Sequence, residues 1–143
     1  MIVIATKDEI GLAKKYNKND EEIIITGVGG LNIIEKLKDI DKSTEILNVG
    51  YAGSNIIERG KEVIIGEVSL YHPNVEYIEP TYKLGGTTRC LTSNDFVLET
   101  NIKEEVVFDM ELAYILALGF KNVKSIKIVS DNLSYEEYEN SIN

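Results

Sequence analysis

Four carboxylates stand just beyond apolar, β-branched runs. Glu9 follows Ile2-Val-Ile4, Asp109 and Glu111 follow Val106-Val-Phe108, and Asp131 follows the run from Ser125 to Val129. Two glycine clusters occupy the same kind of position: Gly27-Val-Gly-Gly30 after Ile23 to Thr26, and Gly50-Tyr-Ala-Gly53 after Ile46 to Val49. A glycine turn between a strand and a helix suits a phosphate group at the helix N-terminus, and it suits a tight βα connection with no ligand equally well. The first cluster departs from the dinucleotide fingerprint, because Asn32 stands where the third glycine belongs. Gly60-Lys61 makes no P-loop, with Asn55 in place of the first glycine and Glu62 in place of Ser or Thr. Each acid taken singly reads more readily as a helix cap or a surface carboxylate than as a site residue. Glu111 differs, since it sits at the start of the apolar stretch Met110 to Leu118, where an acid is costly to bury without a partner.

The elements that would gather these residues are short strands alternating with helical patterns. Strands are expected at Ile2–Ile4, Ile23–Thr26, Ile46–Val49, Val106–Phe108 and Ser125–Val129. Helices are expected around Glu9 to Tyr16, from Leu31 to about Ile40, and from Met110 to Leu118, the last closed by Gly119. Residues 62–70 read as a hairpin or paired strands with an irregularity at Gly66. Residues 73–86 carry both prolines and read as a loop. This order predicts an α/β fold of three layers, α/β/α, with a central mixed, mostly parallel sheet. In such folds ligands collect beyond the carboxyl ends of the strands, which is where the acids and glycines lie.

Composition narrows the chemistry. At 143 residues the chain is expected to form a single domain over 1–143, and 43% hydrophobic with 27% charged residues is ordinary for a globular protein. A net charge of −9 with two arginines argues against nucleic acid as a partner. No apolar run reaches the roughly 18 residues of a membrane span, and MIVIA is too short for a signal peptide. The single cysteine, Cys90, fits a reducing, cytoplasmic setting. His72 is the only histidine and has no Cys or Asp at ligand spacing, so neither a metal nor another cofactor is expected. No G-x-S-x-G elbow is present, and Cys90 reads as a small buried hydrophobe.

Four stretches, taken in order, resemble the superfamily of purine nucleoside phosphorylases and methylthioadenosine/S-adenosylhomocysteine nucleosidases. They are Ile4-Ala-Thr-Lys-Asp-Glu9, Thr26-Gly-Val-Gly-Gly30, Asn48-Val-Gly-Tyr-Ala-Gly53, and Phe108-Asp-Met-Glu111 together with Val129-Ser-Asp131. The resemblance implies a nucleoside phosphorylase-like fold and cleavage of an N-glycosidic bond. It implies that Asp131 donates a proton to purine N7, that Glu111 grips the ribose 2′- and 3′-hydroxyls, and that Glu9 activates water. Phe96 would pack on the purine with the backbone near Val97 at its edge, and Met110, Ala52 and Gly53 would line the substrate. Such roles are chemically sensible: the base leaves well only when protonated, and a carboxylate can accept two hydroxyl donors while favouring the developing cation.

Hydrolysis is preferred over phosphorolysis, since a phosphate dianion calls for arginines and the chain has only Arg59 and Arg89. Tyr51 stands where many relatives have Ser or Thr, so a changed substrate, or a nucleoside-binding protein without turnover, remains an alternative. The resemblance also implies a homo-oligomer, a dimer or hexamer, whose partner subunit completes the pocket. Tyr71 to Tyr82 is a candidate lid across that contact. After Asp131 only a dozen polar residues follow, and no long helix is expected there.

Overall fold

The structure, a computed structural model, describes residues 1–74 and 77–142. Its first unit sets the layers. Strands β1 (Ile2–Ile4), β2 (Ile23–Ile25) and β3 (Ile46–Ser54) lie parallel with β1 between the others. Because side chains alternate across a strand, Ile2 and Ile4 join Ala13 and Val49 in one cluster, while Val3 joins Ile33 and Leu37 in another. Helix α1 (Ile10–Tyr16) covers the first face. Helices α2 (Gly30–Leu37) and α3 (Leu112–Ala117) cover the second. At eight residues α2 is too short to be stable alone. Full burial of Ile33 and Leu37 holds it, at roughly 1.5–3 kcal/mol for each side chain.

Beyond β3 the sheet bends round on itself. Strand β8 (Val123–Asp131) runs parallel to β3 from Ile46↔Val123 to Gly53↔Asp131. Its other edge pairs antiparallel with β4 (Glu62–His72), which pairs in parallel with β6 (Thr88–Thr92). Strand β6 continues to β7 (Val106–Asp109), and β7 returns to β3 at Gly53↔Phe108 and Ser54↔Val107. Five strands therefore close a ring, with β1 and β2 extending from β3 and β5 (Tyr77–Lys83) paired to β4. Among the described residues five pairings are parallel and three antiparallel, so the expected mixed, mostly parallel sheet is present.

Two local expectations are corrected. Residues 62–72 form one strand, and the hairpin is β4 with β5, inside the stretch expected to be a loop. Strand β5 can carry Pro80 because, among the described residues, it pairs with β4 alone, and an edge position tolerates a residue without an N–H. Val75 and Glu76 of that stretch lie outside the described residues. Helix α3 begins at Leu112, two residues later than expected from Met110, because the Asp109 carboxylate accepts the Leu112 amide and Thr92 Oγ1 accepts the Ala113 amide. The polar tail after Asp131 folds into a short helix, α4 (Tyr135–Ile142), with Ser134 Oγ accepting the Glu137 amide at 3.2 Å. The irregularity at Gly66 is present as a shift in β4–β6 register between Ile65 and Glu67. No helix among the described residues is long and apolar enough to cross a membrane.

Candidate functional site

The floor of the site is the second half of β3. Asn48 anchors it, donating to the Val3 carbonyl at 3.3 Å and accepting from Ser125 Oγ at 2.8 Å, which ties β1, β3 and β8 together. The two glycines that follow are there for what approaches them. A Cβ on Gly50 would lie 2.5 Å from Glu9 Oε2, and one on Gly53 would lie 2.9 Å from Asp131 Oδ2. The Gly-x-x-Gly spacing thus leaves room for two carboxylates against one strand, about 10 Å apart at the rise of an extended chain.

Glu9 ends a short 3-10 turn, Lys7–Glu9, and is 7% exposed. Its Oε1 accepts from the backbone amides of Ala5 (2.9 Å) and Thr6 (3.4 Å), and its Oε2 accepts from that of Tyr51 (2.8 Å). A carboxylate has about four acceptor positions. Three are filled by backbone, which fixes the group and leaves one for a water or a ligand hydroxyl.

Asp131 is fully buried at the end of β8 by its own chain. Ser130 Oγ donates to Oδ1 at 2.7 Å, and the amides of Leu133 and Ser134 donate to Oδ2 at 3.0 and 3.2 Å. Burial pushes its carboxyl above the usual aspartate range. Those three bonds pull the other way without cancelling the rise, and Glu137 adds to it. Leu133 adopts φ 63°, the left-handed region that costs a branched residue energy, in the turn that wraps the carboxylate.

The third acid belongs to a buried charge cluster. Glu111 sits at the N-cap position of α3 but caps nothing; its Oε2 accepts from the Gly29 amide of the glycine loop at 2.8 Å. Asp109, beside it, accepts from Thr92 Oγ1 at 2.5 Å and faces Lys127 Nζ at 3.2 Å. Lys127 is 2% exposed, inside the ring of strands. Burial pulls its ammonium down, but the charges of Asp109, Glu111 and Glu9, with the Cys90 sulfur, outweigh it and leave the lysine firmly protonated. Burial, then the charge of Asp109, raises Glu111 to about 7, against the opposing pull of Lys127 and the Gly29 bond. Burial likewise pushes the Cys90 thiol well up, with Asp109 adding to it, so Cys90 is an inert core residue.

Glu9, Glu111 and Asp131 face a single cavity of about 340 Å³, a volume suited to a small organic ligand. Ala52, Gly53, Phe96 and Met110 line it. Val97 does not reach this cavity. It lines an adjoining recess of about 30 Å³ that shares Phe96, Met110 and Asp131 with it. Sequence reasoning missed two contributions. Tyr135 and Tyr138 of α4 form part of the wall, both edge-on to Phe96 with ring centroids 5.6 Å apart. Lys127, behind the acids, was the other, although it has the same parity along β8 as Asp131. Among the described residues no group of three or more His, Cys, Asp or Glu could hold a metal ion.

Neither a protein-family model nor a curated protein matches the chain. Solved structures do. A methylthioadenosine nucleosidase (MTAN) from Chlamydia trachomatis superposes with a TM-score of 0.80 at 13% identity, covering 99% of this chain and 87% of that one. An S-adenosylhomocysteine nucleosidase from Streptococcus pyogenes, in complex with 5-methylthiotubericidin, gives 0.76 at 16% identity over 99% and 88%. A 5′-methylthioadenosine/S-adenosylhomocysteine nucleosidase from S. pneumoniae, with a transition-state inhibitor, gives 0.71 at 17% identity over 99% and 90%. The likeness at these identities is one of fold: this chain has the nucleoside phosphorylase-like fold of those nucleosidases.

Proposed function

We propose that this protein hydrolyses the N-glycosidic bond of a purine nucleoside or a 5′-thio-substituted relative. One observation carries the reading. Three acids from three separate strand ends, Glu9, Glu111 and Asp131, meet in one cavity with an aromatic ring, Phe96, beside the most buried of them. In this reading the purine lies against Phe96 with its N7 at Asp131, and Glu111 accepts the ribose 2′- and 3′-hydroxyls. Asp131, whose carboxyl burial pushes above the usual aspartate range, gives its proton to N7 as the bond from C1′ to the base breaks. The electron pair leaves with the base, the sugar gains cationic character, and the ionised Glu111 stabilises it. Water adds to C1′ and loses its proton to the open acceptor position of Glu9. Proton exchange with solvent then restores both acids.

Water is favoured over phosphate as the nucleophile by where the cations are. Arg59 donates to the Ser130 and Glu137 carbonyls and to Ser141 Oγ, and pairs with Glu137 at 3.6 Å. Arg89 pairs with Glu104 at 2.7 Å. Neither lines the cavity. Lys127 is held by Asp109, so a dianion entering beside Glu9 would meet acids rather than a cation. The test is release of free base from adenosine, inosine and methylthioadenosine, with and without phosphate. Release independent of phosphate is expected; release only with phosphate would make the protein a phosphorylase. Ligand-induced thermal stabilisation with no release from any nucleoside would make it a binding protein.

The same proposal extends to setting and assembly. A cytoplasmic location is supported by Cys90, a free buried thiol and the only cysteine. A dimer or hexamer is supported by Leu31 and Ile34, exposed one turn apart on α2, with Val28 of the cavity wall three residues before Leu31. Light scattering that reports a monomer at micromolar concentration would remove the assembly from the proposal.

A further inference from the structure

The first amides of a helix have no partners inside it. The residue at the N-cap position normally takes one of them with its side chain, at the second or third residue of the helix. In α3 the N-cap residue is Glu111, and those two amides belong to Ala113 and Tyr114. Other groups hold them. Asp109 Oδ2 accepts from the Leu112 amide at 2.9 Å, and Thr92 Oγ1 accepts from that of Ala113 at 3.0 Å. The Tyr114 and Ile115 amides donate to the Glu111 carbonyl at 3.0 and 3.3 Å. The first four amides of α3 are thus satisfied without the Glu111 carboxylate, which faces the cavity and accepts from Gly29 instead.

The two stand-in caps are joined. Thr92 Oγ1 donates to Asp109 Oδ1 at 2.5 Å, so one hydroxyl serves the Ala113 amide and fixes the carboxylate that serves Leu112. Lys127 Nζ, 3.2 Å from Asp109 Oδ2, balances the charge, and all three side chains are buried. Thr92 lines neither the cavity nor the adjoining recess, so it acts on a ligand there only through its neighbours. We propose that Thr92 is a positioning residue for Glu111: by occupying the Ala113 amide and orienting Asp109, it keeps the Glu111 carboxylate from capping α3 and presents it to the ligand. Without the hydroxyl a buried amide stands unpaired, which is costly. The N-cap carboxylate is then the acceptor placed to take that amide, and the helix dipole favours the move. That the group met by Glu111 is a ribose diol rests on the nucleosidase reading.

Thr92→Val replaces the hydroxyl by a methyl group of similar size, Thr92→Ala removes it should the first variant not fold, and Thr92→Ser keeps it. Two readouts follow Glu111 rather than the fold. One is amide exchange at Gly29, which lies on a different element. The other is calorimetric Kd for adenosine against 2′,3′-dideoxyadenosine, which lacks the diol. Wild type is expected to bind adenosine at least about 10-fold more tightly. In Thr92→Val and Thr92→Ala that preference should fall toward one, and Gly29 should exchange faster relative to the amides of β3 and β8. Thr92→Ser should restore both, and in a Glu111→Ala background Thr92→Val should leave the preference unchanged. Equal weakening of both nucleosides, with Gly29 exchange unaltered, would mean that Thr92 only holds α3, and it overturns the proposal. Faster Gly29 exchange in the variants of a protein whose wild type binds the two nucleosides equally, or neither, supports the positioning of Glu111 and rejects the nucleosidase reading. Unaltered exchange in that case rejects both.

Discussion

The floor of the cavity and its roof are built in opposite ways. The floor is β3 and β8, whose inward residues Asn48, Ser125, Lys127 and Asp131 are all buried and cross-linked to one another or to neighbours. The roof is α4, an eight-residue helix with no buried residue, held by Ser134, by Arg59 and by the ring contacts of Tyr135 and Tyr138 with Phe96. The buried acid Asp131 and the buried cation Lys127 stand on the floor, where water is excluded and the dielectric is low. The tyrosines that close the cavity wall, Tyr135 and Tyr138, stand on an element that can open locally at small free-energy cost. The proposed chemistry thus belongs to the rigid half and the cavity wall to the yielding half.

The comparison breaks hardest at the floor. Asp131→Asn removes the proton donor while leaving the side chain's size unchanged, and kcat for base release is expected to fall about 100- to 10,000-fold. A kcat within threefold of wild type would show that another group delivers the proton. Next comes Lys127→Met, which leaves Asp109 and Glu111 buried together without their cation. Denaturant unfolding should show a loss of about 3–5 kcal/mol, and an unchanged midpoint would mean that the cluster is already neutral in the native state.

Glu111 gives a pH signature. Its carboxyl titrates at about 7 in the folded protein against an ordinary 4.5, so between those values the native state holds a proton that the unfolded chain has lost. Stability must therefore fall as pH rises from 4.5 to 7, by at most about 3.5 kcal/mol. Glu111→Gln should remove that fall and raise Tm at pH 8 relative to wild type. Substrate affinity runs the other way, because gripping two hydroxyls needs the ionised form: Kd for adenosine should tighten as pH rises through about 7. A Kd independent of pH between 6 and 8 would remove Glu111 from the diol.

The smallest effect is expected at the roof. Ser134→Ala deletes the α4 cap and costs about 1 kcal/mol. It should speed amide exchange in α4 while leaving β3 and β8 protected. Loss of protection in β8 as well would show that roof and floor unfold as one unit.

What was legible in the sequence follows the same division. The strands of the floor announce themselves as β-branched runs, and the acids at their ends, Glu9, Glu111 and Asp131, could be read because a strand end fixes where the next residues go. Lys127 escaped because a lysine between isoleucines resembles an outward-facing residue. Only the parity it shares with Ser125, Val129 and Asp131, set by the two-residue period, puts it inside. Strand β5 escaped because Pro80 reads as a breaker until its position at a sheet edge is known. Helix α4 carried a local signal, Ser134-x-x-Glu137 with Tyr135, Tyr138 and Ile142 at helical spacing, too short and too polar to stand out against a tail. That Thr92 Oγ1 meets the Ala113 amide is a property of three-dimensional packing, and no pattern in the chain records it.

The closed ring of strands has a consequence in time. Strand β8 is the last of the five in chain order, yet it lies between β3 and β4, its register with β3 joining residues that are 77 or more positions apart. Such distant pairing forms slowly and only after the intervening chain exists. A nascent chain that has emerged as far as β7 holds an open sheet with the facing edges of β3 and β4 unpaired, the kind of surface that invites association with other chains. Arrival of β8 seals both edges and carries Asp131 to Gly53 in the same movement. Completion of the barrel-like sheet and delivery of the buried acid are thus one event, and an unfinished chain exposes sticky edges without exposing a finished site.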